Sequence, residues 1–272
     1  MKPSRPLLRW HGGKWRIAPW IISQFPPHRY YTETFGGAAS VLLQKPRAFA
    51  EVYNDLDGEL VNLFRVLQKP RQAENLIYLL KTTPFARKEF NRSYGSIKEP
   101  IEKARRLVIR SFMGFGSNAH TASHKTGFRS FSNRSHTTPA HDWANFPIEL
   151  QIIVERLQGV VIENRPAIEI MSQHDTEDTL HYCDPPYLMS TRTDRSRDYN
   201  HELTDNDHVN LANFLRTLKG MVIVSGYDSP LYDKLFSDYK KMTKKAFADG
   251  ARERLECLWI SPNAQRRMKG LL

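Results

Sequence analysis

The sequence has little of what marks extracellular, metal-binding or membrane-spanning proteins. It contains only two cysteines, Cys183 and Cys257, which lie far apart in the chain. Two distant cysteines provide neither a disulfide framework nor the ligand spacing of a zinc site. No apolar run approaches the length needed to cross a bilayer, and the first residues lack the apolar segment of a signal peptide. We therefore expect a soluble intracellular protein with no membrane partner and no metal.

Acidic residues are also scarce relative to basic ones. The 272 residues include 40 lysines and arginines against 29 aspartates and glutamates, which gives a formal net charge of +11. This excess indicates a polyanionic partner, although it also favours solubility. The sequence has no internal repeat and no long low-complexity tract. Its length suits one large domain, or one domain that carries an insertion.

The basic excess is concentrated between Pro84 and His136. The basic residues of this segment are Arg87, Lys88, Arg92, Lys98, Lys103, Arg105, Arg106, Arg110, Lys125, Arg129 and Arg134. Only three acidic residues oppose them, Glu89, Glu99 and Glu102, so the segment holds eight of the chain's eleven excess charges. Clustering of this kind is typical of proteins that bind a phosphate backbone.

Residues 114–141 form a stretch that is rich in serine, threonine, asparagine, histidine and glycine. Because this stretch is too polar to pack alone, we predict a loop or an irregular hairpin that becomes ordered on DNA. Several of its side chains are of the types that read base edges. They are Asn118, His120, Lys125, Arg129, Asn133 and Arg134. The alternative for each of them is a solvated, mobile loop.

A proline corner follows a buried strand in the second half of the chain. The apolar run Thr179–Cys183 predicts the strand, and Pro185 and Pro186 end it because they fix φ and lack backbone donors. Asp184 and the Pro185 carbonyl are hydrogen-bond acceptors, and Tyr187 offers a flat aromatic face. This set suits a planar ring that carries an amino group. The alternative is a strand end followed by an ordinary proline turn.

Two strand ends near the start of the chain have the composition of a nucleotide-binding sheet. A strand over Tyr30–Phe35 leads into the small residues 36–40 and then into a helical pattern. The glycines do not fit G-x-G-x-x-G, so a nicotinamide cofactor is disfavoured. A second strand over Ala48–Tyr53 ends at Asp55, about 20 residues after the glycines, where such sheets place a ribose-hydroxyl acceptor. Asp55 could also cap the next helix, and both roles are compatible.

Strands and helices alternate again after the basic segment. Strands are predicted at Gly159–Glu163, Met221–Ser225 and Arg254–Ile260, and Thr204 begins a helix with Asp207 at the capping-box position. This alternation predicts a largely parallel sheet that is built from both sides of the basic segment.

Five short motifs follow one another along the chain. They are Arg9-Trp10-His11-Gly12-Gly13-Lys14, Glu33-Thr34-Phe35-Gly36-Gly37, Asn54-Asp55, Asp184-Pro185-Pro186-Tyr187 and Glu256-Cys257-Leu258-Trp259. Their order and spacing resemble the Dam-like adenine-specific DNA methyltransferases of the alpha arrangement, in which the recognition domain precedes D-P-P-Y. The family's Glu-Pro-Phe is replaced here by Glu33-Thr34-Phe35.

The resemblance implies an α/β fold, a Rossmann-like methyltransferase sheet with an inserted, mainly helical DNA-recognition domain. An S-adenosylmethionine-binding catalytic domain would comprise residues 1–65 and 159–272, and a target recognition domain residues 66–158. The implied methyl donor is S-adenosyl-L-methionine, and the product is S-adenosyl-L-homocysteine. The residues that the resemblance assigns to this cofactor are Trp10, Lys14, Glu33, Phe35, Gly36, Gly37, Asp55 and Asp184.

The resemblance also implies double-stranded DNA as the substrate, from which the target adenine leaves the helix. Its implied catalytic residues are Asp184, Pro185, Pro186 and Tyr187, and Arg9 joins the DNA-binding residues. The flipped ring would stack on Tyr187, while Asp184 and the Pro185 carbonyl accept hydrogen bonds from the amine during a direct in-line transfer. Cys183 is interpreted as a small buried strand residue and not as a nucleophile, because no partner base is evident.

Three alternatives stay open. An RNA adenine methyltransferase and a protein-glutamine methyltransferase would both resemble the family with asparagine in place of Asp184. A non-catalytic DNA-binding protein would explain the charge but not the cofactor motifs. We expect a monomer located in the cytoplasm with the nucleoid, encoded by a bacterium or a phage. The bases that flank the adenine and the existence of a restriction partner are left open.

Overall fold

The computed structural model describes residues 2–116, 125–131, 137–192, 201–247 and 253–270. The chain divides into two compact units. The helical unit comprises Met1–Trp15, Gly37–Gln44 and Asp57–Gln158, and the sheet unit comprises Arg16–Gly36, Lys45–Leu56 and Gly159–Leu272. The catalytic and recognition domains expected from the sequence, with their bounds, stay a prediction.

Within the described residues, the sheet unit contains seven strands. They are β1 (Tyr30–Glu33), β2 (Ala50–Asn54), β3 (Val160–Glu163), β4 (Thr179–Cys183), β5 (Met221–Tyr227), β6 (Lys240–Phe247) and β7 (Glu253–Ile260). Their order is β3-β2-β1-β4-β5-β7-β6. The strands from β3 to β5 pair in parallel, whereas β7 is antiparallel to both β5 and β6. The predicted α/β fold with a Rossmann-like methyltransferase sheet is confirmed.

Short helices accompany these strands in the sheet unit. They are α1 (Ala18–Ile22), α7 (Ala167–Gln173), α8 (Asp205–Leu215), α9 (Pro230–Leu235) and α10 (Pro262–Met268). The predicted capping box at the start of α8 is present, since Thr204 and Asp207 exchange side chain-to-backbone hydrogen bonds. Side chains of α8 and α9 form one buried apolar cluster with β5 and with Trp259 of β7. Burying such aromatic and aliphatic side chains is the main source of stability for this unit.

The helical unit contains α2 (Gly58–Gln68), α3 (Pro70–Thr82), α4 (Arg87–Arg92), α5 (Pro100–Met113) and α6 (Pro139–Leu157). Asp57 caps α2 by accepting from two backbone N–H groups, so the alternative that Asp55 caps this helix is wrong. The helical spacing of Leu56, Leu60, Leu63, Phe64 and Leu67 predicts this helix with one buried face. All of them are buried except Leu56, which precedes the helix and is 40 % exposed. The residues around Val41 form hydrogen-bonded turns and not the expected helix.

Helix α6 begins earlier than the sequence indicates. The apolar pattern predicts a helix from Ile148 to Leu157, but α6 begins at Pro139 and continues through Pro147. A proline inside a helix removes one hydrogen bond and costs about 3 kcal/mol. Buried Trp143 and Phe146 lie on the turn before the proline and offset that cost.

The parallel strands bring three loops to the carboxyl edge of the sheet. Strand β1 ends before Thr34 and Phe35, β2 ends before Asp55, and β4 ends before Asp184. In open parallel sheets this edge is the usual place for a ligand. Among the described residues, no helix is both long enough and apolar enough to cross a membrane.

Candidate active site

Asp184 lies at the carboxyl end of β4, and the neighbouring strand β5 holds its side chain. The Ser225 hydroxyl donates a 2.7 Å hydrogen bond to Oδ1 of Asp184. Ser225 is itself fully buried and lies 3.1 Å from the hydroxyl of Tyr182. Because a hydrogen bond to one oxygen fixes the rotation of a carboxylate, Ser225 sets how the partly buried Asp184 is presented. Sequence reasoning did not identify this serine.

The Tyr187 side chain is buried at the far side of the proline corner. It is 7 % exposed, and its hydroxyl donates a hydrogen bond to Oε1 of Glu256 on β7. Its ring meets Tyr227 of β5 edge to face, with the centroids 4.6 Å apart. Burial, together with the nearby charges of Asp184 and Glu256, raises the pKa of Tyr187 far above its usual value. The hydroxyl therefore stays protonated and remains a donor; the stacking role of its ring stays a prediction.

Glu256 is a residue whose role the sequence could have indicated. It occupies an apolar strand, between Leu255 and Cys257, and is only 4 % exposed. Acidic residues are rarely this buried unless a donor pairs with them. The missing information was the identity of the donor, Tyr187, which is 69 positions away in the chain.

Arg192 fixes the backbone of the same corner. Its guanidinium donates to the carbonyl oxygen of Tyr187 at 2.5 Å and pairs with Glu202 at 2.7 Å. The Arg192 side chain is buried. A buried guanidinium that pairs with a carboxylate holds its neighbours firmly, because removing the carboxylate would take away its counter-charge in a buried position.

The end of β1 is closely packed. Glu33 is buried and accepts a 2.6 Å hydrogen bond from the hydroxyl of Tyr31. Phe35 packs against the apolar cluster of the sheet unit. A Cβ atom on Gly36 would lie 2.2 Å from the ring of Tyr53, so only glycine fits there.

Asn54 and Asp55 follow one another at the end of β2, where Asn54 has a structural role and Asp55 is a candidate cofactor-binding residue. The Asn54 amide donates to the carbonyls of Thr34 and Arg165 at 2.9 and 3.0 Å, and its oxygen accepts from the Arg165 N–H at 2.9 Å. Asn54 therefore braces the ends of three neighbouring strands. Asp55 follows it at the carboxyl edge, where its backbone carbonyl accepts from Asn164 at 2.7 Å.

The remaining cofactor candidates belong to the helical unit. The Lys14 ammonium is buried and donates to the carbonyl of Gly12 at 2.6 Å. Gly37 has a φ of +49°, and a Cβ atom there would lie 3.0 Å from Nε1 of Trp10. Trp10 and Gly37 are thus neighbours within the helical unit, and their role in cofactor binding stays a prediction. The backbone N–H of Arg9 donates to Ser111 at 2.8 Å.

The DNA-binding candidates are only partly described. Asn118, His120, Asn133 and Arg134 lie outside the described residues. The predicted irregular hairpin is supported by an antiparallel bridge between Gly114 and Phe128 and by a 2.7 Å bond from the Arg129 N–H to Met113. Lys125 is exposed. The contacts of these side chains with DNA stay a prediction.

Three arginines of the basic segment serve the helical unit itself. Arg105 and Arg106 both pair with Glu102, at 2.6 and 2.7 Å. Arg110 is 2 % exposed and pairs with Glu59 at 2.6 Å. A count of charges along the sequence therefore overstates how much positive charge this segment presents to a partner.

Cys183 is fully buried within β4. Burial raises the pKa of its thiol to about 12, so the thiolate is not accessible near neutral pH. The interpretation of Cys183 as a buried strand residue is confirmed.

Comparison with known proteins agrees with this geometry. Residues 10–249 match the model of the D12 class N6 adenine-specific DNA methyltransferase family. The chain is 26 % identical over 249 residues to a DNA adenine methylase of Vibrio cholerae, covering 87 % of this chain and 86 % of that protein. It is 24 % identical over 269 residues to a Type II methyltransferase of Methanocaldococcus jannaschii, covering 89 % and 91 %. A DNA adenine methylase of Escherichia coli is 25 % identical over 203 residues, covering 71 % and 68 %. The chain belongs to the D12 class of N6 adenine-specific DNA methyltransferases.

Proposed function

We propose that this adenine-specific DNA methyltransferase acts on an adenine flipped out of double-stranded DNA, using S-adenosyl-L-methionine and releasing S-adenosyl-L-homocysteine. The observation that carries the proposal is the position of Asp184. Its carboxylate is held by Ser225 at the carboxyl edge of the sheet, directly before the Pro185 carbonyl and Tyr187. The proposal also includes that the protein is a monomer, that it is located in the cytoplasm with the nucleoid, and that a bacterium or a phage encodes it.

The sheet unit has suitable residues for the cofactor. S-adenosylmethionine supplies a methyl group on a sulfonium, and its ribose needs a hydrogen-bond acceptor. Asp55 lies at the end of β2 where such acceptors occur, and it follows Asn54, whose side chain is already fully engaged. Gly36 packs directly against the ring of Tyr53, so its assignment to the cofactor also stays a prediction. The assignments of Trp10, Lys14 and Gly37 in the helical unit, and of Glu33, Phe35 and Asp184, stay predictions.

The chemistry needs acceptors because an aromatic amine is a poor nucleophile. Its lone pair is delocalised into the ring, and positive charge develops on nitrogen as the methyl group arrives. Asp184 and the Pro185 carbonyl would accept the amine's hydrogens and stabilise that charge. Since Ser225 occupies Oδ1 of Asp184 beforehand, the carboxylate is oriented before the adenine enters. Tyr187 would stack on the extruded ring, which must leave the duplex because its amino group is inaccessible inside the stack.

The proposal is tested by supplying radiolabelled S-adenosylmethionine with duplex DNA, RNA or a glutamine-containing protein substrate. We expect N6-methyladenine in duplex DNA, identified by nucleoside mass spectrometry, and no label in RNA or protein. Label in RNA or protein alone would favour the two alternative methyltransferases. Binding of DNA with no transfer to any substrate would favour the non-catalytic alternative.

A further inference from the structure

Strand β6 carries an unusual charge for its position. It contains four lysines, Lys240, Lys241, Lys244 and Lys245, and no acidic residue. Among the described strands it ends the sheet, next to β7. Lysines on such a strand commonly prevent edge-to-edge aggregation. That explanation predicts the same role for lysines at both ends of the strand.

The two ends of β6 lie in different surroundings. Because β7 is antiparallel to both β5 and β6, β6 runs in the same direction as β5. Its second half therefore lies at the carboxyl edge that also carries Asp184, and Lys240 lies at the opposite edge. Lys241 is paired with Asp228 and Asp233, at 2.5 and 2.7 Å.

The strand register connects Lys244 to the proline corner. Lys244 stands opposite Glu256, and Glu256 stands opposite Tyr227 on its other side. Directly opposed residues of antiparallel strands project to the same face. Glu256 and Tyr227 both contact Tyr187. Lys244 is exposed, and its ammonium lies 5.8 Å from the centroid of the Trp20 ring in α1. Its neighbour on the adjacent strand is Glu256, the residue that holds Tyr187.

Arg254 adds a second cation on this face. It lies two positions before Glu256 on β7, so its side chain projects to the same side of the sheet. Its guanidinium is 5.9 Å from the centroid of the Tyr227 ring. The carboxyl edge beside Tyr187 thus carries positive charge from two adjacent strands.

We propose that Lys244 and Arg254 bind a backbone phosphate of the DNA next to the extruded adenosine. Both cations can pair with a backbone phosphate, which carries a single negative charge, and Arg254 lies 5.9 Å from the centroid of the Tyr227 ring, which itself contacts Tyr187. The contact anchors the strand that is being distorted and carries no sequence information. The inference rests on the proposed function, since it requires DNA at this edge.

The test compares Lys244→Gln with Lys240→Gln, which removes the same charge from the other end of the same strand. Binding of a fluorescein-labelled DNA duplex is measured by anisotropy over a range of salt concentrations. For Lys244→Gln we expect the slope of log affinity against log salt to become shallower by about 0.9, the value for one lost phosphate contact. Arg254→Gln is expected to behave likewise, and Lys240→Gln is expected to keep the original slope.

The outcomes distinguish failure of the phosphate contact from failure of the proposed function. Slopes that change equally in the Lys244 and Lys240 variants, or in neither, would overturn the phosphate contact while leaving DNA binding intact. Failure of the unaltered protein to bind duplex DNA would overturn the proposed function and this inference with it. Circular dichroism spectra that match the unaltered protein exclude misfolding as the cause of a changed slope.

Discussion

The hydrogen bond between Tyr187 and Glu256 predicts a strong coupling between two substitutions. Tyr187→Phe removes the donor and keeps the ring, and Glu256→Gln keeps an acceptor and removes the charge. Both side chains are buried, at 7 % and 4 % exposure. A hydrogen bond to a charged group contributes about 1.5–3 kcal/mol, and removing one donor from a buried carboxylate is costly. Tyr187→Phe should therefore lower the free energy of unfolding by about that amount.

The double variant makes the prediction specific. Once the Tyr187 hydroxyl is absent, Glu256→Gln removes the free-energy cost of a buried charge that has lost one of its donors. Glu256→Gln should consequently cost little or even stabilise in the Tyr187→Phe background, although it destabilises the unaltered protein. We expect a coupling energy of about 1–2 kcal/mol, measured by urea unfolding.

A matched control uses Tyr239, which is similarly buried but precedes Lys240 at the other end of β6. Tyr239→Phe and Glu256→Gln should add within about 0.5 kcal/mol, as distant sites usually do. Additive effects for the Tyr187 pair would refute the idea that Glu256 holds Tyr187 through its hydroxyl.

Two further predictions concern stability. Lys45 and Glu51 form a buried ion pair at 2.6 Å, so Lys45→Met should lower the free energy of urea unfolding by about 3–5 kcal/mol, and a loss below about 1 kcal/mol would contradict this. Burial lowers the pKa of His208 to about 4 from 6.5. The unfolded chain therefore takes up a proton on this group at higher pH than the folded chain does, and stability falls as the pH falls between these values. Between pH 7 and pH 5 the loss should be about 2 kcal/mol, and His208→Gln should remove it; an equal loss in the variant would exclude His208 as the cause.

Much of the sheet could be predicted because its central strands are continuous apolar runs. Met221–Ser225 and Thr179–Cys183 lie within or coincide with β5 and β4. Strand β6 could not be predicted, since its lysine-rich sequence has no buried face of its own and its pairing is decided by β7. Tertiary context decides the state of such a segment.

The site was predictable where function depends on adjacent residues and not where it depends on contacts between strands. The corner from Asp184 to Tyr187 is visible as a motif. The hydrogen bonds that orient its side chains come from Ser225 and Glu256, which are distant in the chain. Similarly, the burial of Arg110 against Glu59 follows from helix packing, which a count of charges does not contain.

The central claim is that the Asp184 carboxylate accepts the hydrogens of an adenine amine during methyl transfer to DNA. The most direct measurement is the single-turnover rate of transfer from labelled S-adenosylmethionine to duplex DNA, for the unaltered protein and for Asp184→Ala. We predict that the variant loses methyl transfer while it keeps most of its DNA affinity, measured in parallel by anisotropy. Turnover close to that of the unaltered protein would contradict the account.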